Sequence, residues 1–341
     1  MAKVGVVGTT SWGTTLSLIL AQKGIDVYLW ARTEEEAATL RRDGENKRLL
    51  PGLPFPSALQ VTVSAAEAFG GVDAVFVAVP SRSFRDNLRA FIPHIRQPAS
   101  LISATKGLEF DTGKRMSQVM EEELPEELCP SVAVLSGPNL AREIAQGKPS
   151  SSVIACKNAQ VSQAAQELLT SERFRVYTNE DVVGVELGGS LKNIIALGAG
   201  ICDGLTYGDN AKAAFMTRGL AEITRLGVAA GANPLTFAGL AGLGDLVATC
   251  SSPLSRNHYV GEQLAQGRKL DEIRSTMKNV AEGVDTTVAA LKMARGLGVE
   301  MPIAEATYKV LFEGIDVRQA ASELMGRAPR SELPDMRLNQ G

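Results

Sequence analysis

The chain opens with the pattern that most narrows its fold. A short apolar run, Val4-Gly5-Val6-Val7, meets a glycine-bounded turn, Gly8-Thr9-Thr10-Ser11-Trp12-Gly13, and then a helical pattern over 12–24 that stops at Gly24. A strand that turns directly into a helix is the first unit of a parallel sheet, because parallel neighbours need a crossover connection between them. The alternation continues. Asp26-Val27-Tyr28-Leu29-Trp30 reads as a second strand, and Ala74-Val75-Phe76-Val77-Ala78-Val79 as a central strand buried on both faces. Strands at 101–103, 132–135, 152–155 and 173–177 follow, the last two flanking a helix at 159–169.

Residues 1–180 are therefore expected to form an α/β domain with a doubly wound, Rossmann-type, mainly parallel sheet. Near Asn179 the character changes to Ala, Leu, Gly and Met with few β-branched runs. Helices are expected at 191–200, 211–230, 234–239, 260–266, 284–297 and 303–312, giving an all-α C-terminal domain over 181–341. The tail from Pro329 reads as a loosely held surface segment. A length of 341 residues suits two domains, and 45% apolar with 21% charged residues suits a folded globular chain.

The net charge of −3 supplies no excess of cations for a nucleic-acid partner, so none is expected. No secretory signal is visible, and no apolar run approaches the ~20 residues of a membrane helix, so the expected location is the cytoplasm. Cys129, Cys156, Cys202 and Cys250 are too scattered for a disulfide scaffold or zinc site. His94 and His258 lack metal-ligand spacing, so no metal is expected. Neither a G-x-S-x-G elbow nor a G-x-x-x-x-G-K-[ST] phosphate loop occurs.

The turn after the first strand suits a dinucleotide, whose pyrophosphate would lie over backbone N–H groups at a helix N-terminus. It departs from G-x-G-x-x-G in carrying Thr10 at the second glycine, where bulk is expected to push the cofactor outward. After the second strand stands Arg32 rather than an acid, which suits a 2′-phosphate and so NADP(H), with NAD(H) the second choice. Two loops at strand ends, Ser103-Ala104-Thr105-Lys106-Gly107 and Ser136-Gly137-Pro138-Asn139-Leu140-Ala141, lie where open α/β sheets bind ligands. Lys106 offers a point charge for a phosphate. In the second domain Lys192 stands among Leu191, Ile194, Ile195 and Leu197, Asp245 lies in a glycine-rich apolar segment, and Ser255-Arg256-Asn257 suits a phosphate monoester. Singly, each of these also reads as a solvated lysine, a turn or a cap.

In order, these segments resemble the bacterial-type NAD(P)-dependent glycerol-3-phosphate dehydrogenases. The resemblance runs from Gly5 to about Gly314 and includes Glu186-Leu187-Gly188-Gly189, Leu191-Lys192-Asn193 and Val280-Ala281-Glu282-Gly283-Val284. It implies cofactor contacts from Ser11, Trp12, Arg32, Lys106, Ala141, Arg256, Val280 and Glu282. It places Lys106, Gly137, Asn139, Lys192, Asp245, Ser255, Arg256 and Asn257 around a small phosphorylated substrate, dihydroxyacetone phosphate or sn-glycerol 3-phosphate. Lys192 matches the proton-transferring lysine; Asn139 stands where Ser or Thr is usual. The implied reaction serves glycerophospholipid synthesis. Hydride arriving at a ketone builds charge on oxygen, which Lys192 would hold and protonate, oriented by Asp245. In the oxidative direction its pKa must fall below about 10.4, through burial or a cation such as Arg256. A β-hydroxyacid dehydrogenase of similar layout and a non-catalytic dinucleotide sensor are the alternative readings. The sequence is silent on oligomeric state and leaves a homodimer open.

Overall fold

A computed structural model describes residues 2–96, 99–277, 281–329 and 331–332. Eight strands form one sheet: β1 (Lys3–Val7), β2 (Asp26–Trp30), β3 (Leu59–Thr62), β4 (Ala74–Val77), β5 (Ser100–Ser103), β6 (Val132–Ser136), β7 (Ser150–Ala155) and β8 (Phe174–Asn179). Their order is β3-β2-β1-β4-β5-β6-β7-β8. Seven helices accompany them: α1 (Ser11–Gln22), α2 (Glu34–Asp43), α3 (Ala65–Phe69), α4 (Phe84–Phe91), α5 (Met116–Glu123), α6 (Ala141–Ala145) and α7 (Ala159–Leu169).

The two faces of the sheet follow the period of two. Val4, Val6 and Phe76 pack with Leu16, Ile19 and Leu20, while Val7, Val75 and Val77 pack with Phe69, Phe84 and Leu88. Strand β1 lies between β2 and β4, and the chain reverses its direction of sheet growth there, which opens a crevice beyond the strand C-termini. One strand pair departs from the parallel expectation: β6 and β7 are antiparallel. The five-residue α6 between them is too short to carry the chain back across the sheet. Strand β3 has only four residues, Leu59-Gln60-Val61-Thr62, and no expected strand covered it.

The helical part comprises α8 (Val182–Gly204), α9 (Asp209–Ala229), α10 (Asp245–Ser251), α11 (Arg256–Ala265), α12 (Leu270–Thr276), α13 (Glu282–Leu297), α14 (Pro302–Tyr308) and α15 (Val317–Met325). The 23-residue α8 is its axis. Alone among the described helices it is long and apolar enough to span a membrane, but 89% of its apolar window is buried among its neighbours. It starts well before the expected 191, because Gly188 and Gly189 do not break it. A Cβ on Gly189 would stand 2.1 Å from Ser136 Oγ and one on Gly188 2.8 Å from the Ala241 carbonyl, so these glycines let the helix lie against β6 and the 240–244 turn. The segment expected as a helix at 234–239 is a 3₁₀ turn, Pro234–Ala238. Pro329 is described; most of the tail beyond it lies outside the described residues.

Candidate active site

The β1–α1 turn is shaped for close approach. Gly8 has φ +109°, and a Cβ on Gly13 would stand 2.0 Å from the Gly8 carbonyl oxygen. Thr10 is held within the turn by its own hydroxyl. Its φ of −64° is ordinary, its hydroxyl accepts from Gly13 N at 3.0 Å as the N-cap of α1, and it donates to the Ala78 carbonyl at 2.7 Å. The threonine therefore ties the turn to the end of β4 instead of projecting from it. Ser11 and Trp12 occupy the first turn of α1, where backbone N–H groups lack helical acceptors. Trp12 Nε1 is a buried donor with no partner. Thr15, one turn along, donates to the Ala141 carbonyl at 3.1 Å and so holds the 136–141 loop against α1. Arg32 is exposed beyond β2, and among the described residues its guanidinium makes no hydrogen bond or ion pair. These features fit a dinucleotide: a glycine cradle, an open helix N-terminus, an unpartnered indole donor and a free cation at the ribose end. Val280 lies outside the described residues.

The loops after β5 and β6 meet α8 and α10 at a second group of charges. Lys192 is only 5% exposed, and its Nζ donates to Asp245 Oδ1 and to Thr249 Oγ1. Asp245 begins α10 after a wide turn at Leu240–Gly244 and is 1% exposed. Its second oxygen accepts from Lys106 Nζ at 2.7 Å, and Lys106 also donates to the Gly137 carbonyl at 2.6 Å. Lys106 is thus engaged by a carboxylate and a carbonyl, where the sequence suggested a free point charge. Burial brings the Lys192 ammonium down to about 8; Asp245 opposes that fall and the Lys106 charge adds to it. Lys106 is the cation that acts on Lys192, a role the sequence had offered to Arg256. Thr249 was missed altogether, since one threonine in Val247-Ala248-Thr249-Cys250 carries no pattern beyond its i+4 spacing from Asp245.

A third cluster borders this group. Ser255 is the N-cap of α11, its hydroxyl accepting from His258 N at 3.2 Å. Asn257 donates to Asn193 Oδ1 at 2.9 Å and accepts from Gly283 N at 2.9 Å. The side chains of Ser255 and Asn257, expected as ligands, thus also serve the scaffold, and the Ser255 O–H and one Asn257 N–H are left over by these bonds. The first-turn N–H groups of α11 and the Arg256 side chain remain to receive an anion. Arg256 is reachable by solvent yet ringed by protein, and desolvation lowers its pKa against the pull of Glu282. Glu282 opens α13 and accepts from Ser81 Oγ at 2.7 Å and from Ser81 N at 3.4 Å. Burial raises its pKa. Asn139 Oδ1 accepts from Ser152 at 2.6 Å, leaving Nδ2 a buried donor without a partner.

Sheet, crevice and lysine–aspartate pair define a two-domain dinucleotide-dependent dehydrogenase. The NAD-dependent glycerol-3-phosphate dehydrogenase N-terminus matches residues 3–162, and the C-terminus of the same enzymes matches residues 181–322. A glycerol-3-phosphate dehydrogenase [NAD(P)+] of Dehalococcoides mccartyi is 52% identical over 334 residues, covering 98% of this chain and 93% of its own. One from Bacillus anthracis is 48% identical, covering 98% and 100%. The crystal structure of glycerol-3-phosphate dehydrogenase from Coxiella burnetii superposes with a TM-score of 0.91 at 38% identity, covering 96% of this chain and 99% of that one. The chain belongs to the NAD-dependent glycerol-3-phosphate dehydrogenase family and is an NAD(P)-dependent oxidoreductase.

Proposed function

We propose that this chain interconverts dihydroxyacetone phosphate and sn-glycerol 3-phosphate, with Lys192 as the proton-transferring group. One observation carries the assignment: a buried lysine, held by Asp245 and Thr249, has an ammonium pKa of about 8 beside a cation-bearing helix N-terminus. Ser11, Trp12, Arg32, Ala141 and Glu282 surround the cofactor, and the free Arg32 favours the 2′-phosphate of NADP(H). When bound, the reduced nicotinamide supplies a hydride. Lys192 meets the negative charge that develops on the substrate oxygen, first as a hydrogen-bond donor and then as an acid. Asp245 aims it by holding Nζ from one side, and Thr249 holds a second N–H. The low pKa lets the same nitrogen act as a base in the oxidative direction close to neutral pH. Arg256 and the first N–H groups of α11 bind the phosphate, and Asn139 Nδ2 offers a further donor at the rim.

In this reading residues 1–180 hold the cofactor and residues 181–341 hold the substrate. The product feeds glycerophospholipid synthesis in the cytoplasm, and neither nucleic acid nor membrane insertion is involved. The test is NADPH oxidation followed with dihydroxyacetone phosphate, with 3-keto acids and with no acceptor. Turnover with the phosphate substrate alone is expected. Preference for a 3-keto acid would indicate a β-hydroxyacid dehydrogenase, and binding without turnover a dinucleotide sensor.

A further inference from the structure

Lys106 sits at the base of a tongue that leaves the sheet after β5 and enters the helical domain. Leu108, fully buried, packs with Leu187, Leu191 and Ile194 in the core of the helical part. The tongue folds back on itself through a Leu108–Arg115 bridge, with Glu109 N donating to the Lys114 carbonyl at 2.8 Å. Lys292 Nζ donates to the Asp111 carbonyl from α13.

Along one face of α8 three polar residues, at i, i+4 and i+7, grip this tongue. Glu186 takes its far end: Oε1 accepts from Ser117 N at 2.8 Å, and Oε2 accepts from Ser117 Oγ at 2.6 Å and Arg115 Nη1 at 2.8 Å. Ser190 Oγ donates to the Gly107 carbonyl at 3.2 Å, and Asn193 Nδ2 to the Lys106 carbonyl at 3.4 Å. Glu186 is 2% exposed. Removing a buried carboxylate that holds an arginine and a helix N-terminus releases more than a surface contact would.

We propose that Glu186 is a positioning residue. By clamping Arg115 and Ser117 it holds the tongue in register on α8, and so keeps Lys106 against Asp245 on the far side of the carboxylate from Lys192. The carboxylate touches neither reacting group. It acts through the tongue, and its effect is to fix how far one lysine stands from the other. The charged or titratable groups that act on Lys192 are Asp245, Lys106 and Cys250. Of these, Asp245 and Cys250 belong to α10, and only Lys106 travels with the tongue.

The inference rests on Lys192 as proton donor, and the test separates the two. In Glu186→Gln the amide retains one acceptor but presents a donor to Arg115. Lys106 then withdraws, removing a like charge that lowers the Lys192 pKa. The alkaline limb of kcat/KM for dihydroxyacetone phosphate should move up by about half a unit, with KM raised about tenfold and kcat changed less. In a Lys106→Ala background the Glu186 substitution should produce no further movement of the limb. A limb and KM left at wild-type values, whatever the fall in Tm, would overturn the proposal. Should Glu186→Gln fail to fold, Ser117→Ala removes the hydroxyl arm alone; smaller shifts in the same directions support the clamp, and none overturns it. Near-normal turnover in Lys192→Met would instead refute the proton-donor reading.

Discussion

Replacing Asp245 with Asn tests how the site sets its acid. The carboxylate is 1% exposed and receives two ammonium groups, Lys192 on one oxygen and Lys106 at 2.7 Å on the other. Both its charge and its hydrogen bond raise the Lys192 pKa, while burial and Lys106 lower it to about 8. Asp245→Asn removes the raising influences and leaves the lowering ones, so the pKa falls. An opposite charge at contact range is worth about 1–3 pKa units. At pH ~7.5 the protonated fraction of Lys192 would drop from about three quarters to about one quarter at best, and below about one hundredth at worst. Ketone reduction needs the ammonium, so kcat/KM for dihydroxyacetone phosphate should fall by about threefold to more than about 100-fold there. The deficit should shrink as the pH is lowered towards ~5.5, because the variant regains its proton. Asn also leaves Lys106 and Lys192 without their carboxylate partner, so the profile is recorded well below the Tm of the variant. NADPH titration confirms that the cofactor site is intact. An alkaline limb that stays in place, or moves to higher pH, would refute the reasoning.

Three further substitutions probe the edges of the site. Arg256→Ala should cost about 2–5 kcal/mol in kcat/KM, since the bound phosphate is left without its cation, and free phosphate should compete with substrate in the wild type but weakly in the variant. Retained kcat/KM would place the phosphate elsewhere. Arg32→Glu should weaken NADPH by tenfold or more relative to NADH, the loss of a charged contact of about 1.5–3 kcal/mol; equal losses for both cofactors would remove Arg32 from 2′-phosphate recognition. Thr10→Ala should lower stability by about 1–2 kcal/mol through the lost N-cap and the bond to Ala78, without tightening NADPH. Unchanged unfolding with tighter NADPH would restore the steric reading of that threonine.

Much of the sheet could be read from residue order because strand signals are local. Asp26–Trp30 and Ala159–Leu169 stand as expected, the first bounded by its apolar alternation and the second by an Asn158 cap. Where the reading failed, a tertiary contact had overruled a local rule. Gly188 and Gly189 look like a helix break, yet they lie inside α8 because Ser136 and Ala241 leave no room for side chains. Thr10 stands at the second glycine of the turn, and only the fold shows its hydroxyl satisfied by Gly13 and Ala78, the latter 68 residues away. Ser255 and Asn257 stand beside Arg256 in the sequence, and only the fold shows that one also caps its own helix and the other accepts from the start of α13. Residue types told which chemistry was available. Which atoms were already engaged depended on packing between distant segments.

Lys192→Met measures the central claim most directly. Methionine matches the length of the lysine stem and removes only the ammonium, so the cofactor crevice should survive. Turnover of dihydroxyacetone phosphate with NADPH should fall by at least about 100-fold, the low end of general acid–base effects, while NADPH binding by titration stays at the wild-type value. Near-normal turnover with the cofactor bound would contradict the account, because the proton would then have to come from another group, such as Lys106, the second ammonium on Asp245.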